Sequence, residues 1–134
     1  MKKVVSITLT LAILFAVCVS ASAATVQPIE PLWDNTQSVV SSINLDSTNS
    51  SATAEIVGKP GTVKIEATLT VYRLMGEDWL YINQVTESVN SDVLYTAVNF
   101  TALGGSTYKS ILVVNVTNSA GVTESIQRAR YALS

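Results

Sequence analysis

The chain of 134 residues has no histidine, one cysteine, three prolines and six glycines, and only 13% of its residues are charged. Without histidine it lacks the commonest general base, any Ser-His-Asp arrangement and the commonest zinc ligand. The single thiol, Cys18, sits inside an apolar leader. Once that leader is removed there is no disulfide, no metal thiolate and no cysteine nucleophile, so stability must come from an apolar core.

The leader begins with Lys2 and Lys3, continues through an apolar run over residues 4–19, and ends in the small residues Ser20, Ala21, Ser22 and Ala23. This pattern predicts a secretory signal peptide over 1–23, cut after Ala23, and hence a secreted, extracellular protein. The run falls short of the roughly 20 residues that a spanning helix needs, so no membrane span is expected after cleavage. Val17 stands before Cys18, where a lipoprotein would carry a small residue, which argues against lipid attachment. Loss of Lys2 and Lys3 leaves six basic residues against ten acidic ones, a formal charge of −4. Nucleic acid is therefore not an expected partner, because binding it takes clustered Lys and Arg.

Carboxylates are what remains for chemistry. A glycosidase needs two of them roughly 5 to 10 Å apart across a cleft. Glu77 and Asp78 are adjacent, but in a turn signal, where charge is ordinary solvated punctuation. Calcium would need six or more oxygens. Asp46 to Asn49 ("DSTN") and the loop residues Asp34, Asp78 and Asp92 offer some, yet no D-x-D-x-D-G loop occurs. Capping of turns is the expected role of these side chains, and neither an enzyme, a metal nor a cofactor is expected. "NSS", "NFT" and "NVT" at Asn49, Asn99 and Asn115 match glycosylation acceptors, which carry meaning only in a eukaryotic secretory route.

After an extended lead-in over 24–37, the apolar pattern has a period of two. In "TVKIEATLTVY", Val63, Ile65, Ala67, Leu69 and Val71 fall on one side, and Lys64, Glu66, Thr68, Thr70 and Tyr72 on the other. Seven strands are expected, over 38–46, 52–57, 62–74, 79–87, 93–102, 107–117 and 122–131, separated by turn-rich sets such as "GKPG", "MGED" and "NSAG". The third is long for one strand and should bend or change partner. The last also places Ile126, Ala129 and Leu133 at helical spacing. Together they predict an all-β domain over 38–134, a seven-stranded antiparallel sandwich.

If Met75 to Asp78 close a hairpin, Leu74 faces Trp79 and Tyr72 faces Tyr81, and the cluster Tyr72, Trp79, Tyr81 projects away from the core. Such a platform would stack on sugar rings or anchor a protein. A change of one residue in the loop would instead turn Trp79 inward as the core tryptophan.

Within 107–117, Tyr108, Ser110, Leu112, Val114 and Val116 share a face, after the glycine turn "LGGS" and before "NSAG". This stretch resembles the penultimate strand of fibronectin type III and immunoglobulin-like domains. The resemblance covers residues 101–130. It implies that Tyr108 forms a tyrosine corner, ring in the core and hydroxyl bonded to nearby backbone, with Leu112, Val114 and Val116 lining the interior. The chain departs from that family in lacking paired cysteines and an early core tryptophan. The signal peptide, the tryptophan after a short polar turn, "TYK" and Glu124 are also similar to small uncharacterised secreted proteins of Gram-positive bacteria. The expected function is that of an extracellular binding module with a protein or glycan partner. The alternatives are a structural, self-assembling surface protein and a carboxylate-based hydrolase.

Overall fold

The computed structural model describes residues 32–134. The expected signal peptide over 1–23, Cys18 within it, and the lead-in up to residue 31 lie outside the described residues. Seven strands follow: β1 Thr36–Asn44, β2 Ser50–Gly58, β3 Thr62–Met75, β4 Asp78–Val89, β5 Val93–Phe100, β6 Thr107–Asn118 and β7 Thr123–Leu133. All are antiparallel, in a three-stranded sheet of order β1-β2-β5 and a four-stranded sheet of order β4-β3-β6-β7. Among the described residues no helix is long and apolar enough to cross a membrane.

Alternation is what closes the two sheets on each other. Ile65, Ala67, Leu69 and Val71 of β3 and Tyr108, Leu112, Val114 and Val116 of β6 are buried against Ala52, Ala54 and Ile56 of β2 and Leu94, Val98 and Phe100 of β5. Burying each of the larger side chains contributes about 1.5 to 3 kcal/mol, which is how a fold can form without cross-links. β7 is a strand, with only Ile126 in the core. The helical spacing noted there has no structural counterpart. A helix would waste the β6 edge, where paired backbone groups satisfy β7 over its whole length.

Two irregularities accommodate the length of β3. Pairing with β6 shifts between Thr62 and Lys64, which leaves Val63 without a partner and exposed. The expectation that Val63 shares the inward face is thus corrected: a bulge breaks the alternation at that residue. On the other flank the register with β4 shifts between Val71 and Tyr72, so Ile82 is the extra residue of β4. The strand ends differ from expectation by a few residues, chiefly at β2, which begins at Ser50, and β5, which stops at Phe100.

Side chains lace the two seams between the sheets. Asn83 Nδ2 on β4 donates to the Asn99 carbonyl of β5 at 2.9 Å, and Arg130 Nε on β7 donates to the Ser41 carbonyl of β1 at 3.1 Å.

Candidate functional site

The β3–β4 hairpin decides where the aromatic residues go. Its loop is Gly76 and Glu77, with Met75 opposite Asp78, and Gly76 has a φ of 65°. A positive φ at the first of two loop residues is the type II′ pattern, which suits the twist of a hairpin and favours glycine. Leu74 then stands opposite Trp79, and Tyr72 opposite Tyr81. Opposed residues share a face, and Arg73, one position away, stands opposite the fully buried Tyr108. Tyr72, Trp79 and Tyr81 therefore occupy the outer face of the four-stranded sheet.

The same register brings in two residues that sequence reasoning did not assign. Tyr72 is paired with Lys109 of β6, and Lys109 with Tyr131 of β7. One row thus crosses the whole sheet as Tyr81, Tyr72, Lys109 and Tyr131. The Lys109 ammonium lies 4.1 Å from the centroid of the Trp79 ring and 5.3 Å from that of Tyr72. Trp79 reaches Tyr131 at 6.1 Å between centroids, and Tyr72 meets Tyr81 edge-on at 6.4 Å. The outer members are open, Tyr81 being 55% and Tyr131 65% exposed, whereas Trp79, Tyr72 and Lys109 are half-buried by one another. Lys109 and Tyr131 could have been found from sequence only by knowing that β3 pairs with β6, a contact between strands far apart in the chain.

Tyr108 is on the opposite side. Its ring is fully buried, 5.2 Å from Phe100, and its hydroxyl accepts from the Leu103 amide at 2.7 Å, five residues upstream. Trp33, in the expected lead-in, packs against the core, with the Arg128 guanidinium 5.0 Å over its ring. That segment is held by Glu124. One carboxylate oxygen accepts from the Asp34 amide at 2.7 Å, and the other from the Asn35 amide at 3.1 Å and the Thr36 hydroxyl at 2.7 Å. Partial burial pushes the Glu124 carboxyl up. The hydrogen bonds from Thr36, Asp34 and Asn35, with the charge of Lys59, outweigh that and hold it below the usual range. Lys59 Nζ itself donates to the Trp33 carbonyl.

The carboxylates considered for calcium are dispersed. Asp46 Oδ1 accepts from the Thr48 amide at 3.2 Å and the Ser47 hydroxyl at 3.3 Å, contacts that cap its turn and lower its pKa, the Thr48 amide foremost. Among the described residues no group of three or more His, Cys, Asp or Glu side chains could hold a metal ion. Glu77 and Asp78 are exposed at the hairpin tip. A shallow depression of about 440 Å³ lies beside Leu45, Asp46, Ala102, Gly104 and Leu133, with Asp46 as its one acidic side chain.

No family model matches the chain, and no curated protein matches it. Among solved structures it is similar to pT26-6p, at a TM-score of 0.50 and 13% identity over 71% of this chain and 21% of that one. It is also similar to Spo0M, a sporulation control protein from Bacillus subtilis, at a TM-score of 0.36 and 9% identity over 76% of this chain and 51% of that one. A third similarity is to catalytically inactive OgpA from Akkermansia muciniphila in complex with an O-glycopeptide, at a TM-score of 0.35 and 11% identity over 81% of this chain and 34% of that one. In each case the chain spans about half or less of the other protein's length. The two-sheet, all-β sandwich rests on this chain's own strand order and register.

Proposed function

We propose that this is a secreted, non-enzymatic binding module with a fibronectin type III or immunoglobulin-like sandwich, and that its aromatic face engages an extracellular glycan. The division into three and four strands and the hydrogen bond from the Leu103 amide to the Tyr108 hydroxyl support the choice of fold type. The observation that carries the binding reading is the outward position of Trp79. A tryptophan placed outside a core that is already filled stabilises the fold little, while a row of aromatic rings on a rigid sheet offers large contact area at low entropic cost. Exposed tyrosine rings at both ends of the row, Tyr81 and Tyr131, offer faces and edges against which the apolar faces of sugars can pack.

Chain beginning at Ala24, screened against a glycan array and against cell-wall and extracellular-matrix fractions, tests this directly. Specific retention of a glycan that is lost in Trp79→Ala, with the fold intact, is the expected result. Retention of protein partners alone, or of further copies of the chain, would transfer the function to another class.

A further inference from the structure

The aromatic row contains one residue that a plain sugar platform does not need. Lys109 stands at its centre, with its ammonium over Trp79 and beside Tyr72, and among the described residues no carboxylate lies within ion-pair distance of it. The one ion pair among the described residues joins Lys64 to Glu66, nearer the other end of β3. Neither the row of Lys109 nor the neighbouring positions Trp79, Leu74, Thr107 and Leu133 carries an acidic side chain. What holds the ammonium is the negative faces of the rings. That attraction is weaker than a charge-assisted hydrogen bond to an anion, so an arriving carboxylate gains a partner that the protein does not provide.

We propose that the face binds a carboxylated polysaccharide, with Lys109 pairing to a sugar carboxylate while neighbouring sugar rings stack on Tyr81 and Tyr131. This rests on the glycan reading above and specifies its ligand. Strands lie about 4.8 Å apart, so the backbones of Tyr81 and Tyr131, three strand spacings from each other, are about 14 Å apart, with the cation between them. That span accommodates an oligosaccharide of a few rings with an acidic residue in the middle. Charge density decides between kinds of anion. With a formal charge of −4 for the chain from Ala24, and with Lys109 the one cation of this row, the face lacks the clustered cations that a densely charged chain such as nucleic acid requires. A polymer whose charges are spaced by sugar rings meets the lysine at one point and the aromatic rings elsewhere.

The test is calorimetric titration of chain beginning at Ala24 with oligosaccharides of galacturonan, mannuronan and hyaluronan, each paired with its carboxyl-reduced, neutral counterpart. At least one acidic oligomer should bind ten-fold or more tightly than its neutral counterpart, with a preference that shrinks in high salt. Lys109→Met, which keeps the aliphatic stem over Trp79, should abolish the preference, bringing the acidic oligomer's affinity down to that of its neutral counterpart on the same variant. Lys109→Arg should retain the preference, and circular dichroism should report native folds for both variants. Equal binding of acidic and neutral oligomers, or a preference that survives in Lys109→Met, overturns the acidic specificity and leaves the glycan reading standing. Failure of every acidic oligomer overturns the specificity as well, and only silence on the neutral glycans too removes the reading beneath it.

Discussion

Tyr108 and Lys109 are consecutive residues of β6, and they stand on opposite sides of one sheet. Tyr108 is enclosed, its ring against Phe100 and its hydroxyl on the Leu103 amide. Lys109 faces out, its ammonium over the rings of Trp79 and Tyr72. Both sides carry aromatic residues, so aromatic content does not separate them. The separation comes from how each side is satisfied: the inner one by burial and a hydrogen bond within the fold, the outer one by contacts that leave Tyr81 and Tyr131 more than half exposed. A residue of the first kind should fail in stability when altered, and one of the second kind in binding.

The largest effect should follow Tyr108→Ala, a loss of about 4 kcal/mol in urea unfolding from the cavity left in the core. Tyr108→Phe keeps the ring, strands the Leu103 amide, and should cost about 1 to 2 kcal/mol. Glu124→Ala should cost about 2 kcal/mol near neutral pH, because three donors of the Asp34 to Thr36 segment lose their acceptor. The folded-state pKa of Glu124 lies below its ordinary value, so its contribution is complete above that ordinary value and fades as pH falls through the lower folded-state value. Unfolding curves of wild type and Glu124→Gln should therefore converge in acid and separate toward neutrality. Trp79→Ala should cost only about 1 kcal/mol, well short of the roughly 3 kcal/mol or more typical of a core aromatic. Smallest of all, a double-mutant cycle between Trp79 and Lys109 should give a coupling of about 0.5 to 1 kcal/mol, the range of an exposed cation–π contact. A Trp79→Ala loss as large as that of Tyr108→Ala would erase the distinction between the two faces.

Local patterns made much of this readable from sequence. The β3–β4 hairpin follows from "MGED", but the sequence alone leaves open the side on which Trp79 falls, since a loop one residue different would turn it inward. The observed pairing of Leu74 with Trp79 decides for the outer face. Strand alternation likewise put Tyr108, Leu112, Val114 and Val116 on one face, and all four are buried. What was not legible depends on contacts distant in sequence. Nothing in the order of residues pairs β3 with β6, so Lys109 and Tyr131 were missed as members of the row that contains Tyr72. The bulge that exposes Val63 arises from the register that β3 must keep with β6, and a period-two pattern cannot signal it. Trp33 and Glu124 are tied to their partners across some 90 residues, and before the fold is known Glu124 looks like any strand glutamate.

The separation of the two faces is tested most directly by measuring, on the same preparations, the unfolding free energy and the glycan retention of Trp79→Ala and Tyr108→Phe. Trp79→Ala should stay nearly as stable as wild type and lose its glycan, while Tyr108→Phe should be destabilised and, wherever it is folded, bind as wild type does. Full glycan retention by a folded Trp79→Ala would contradict the assignment of the outer aromatic face to binding.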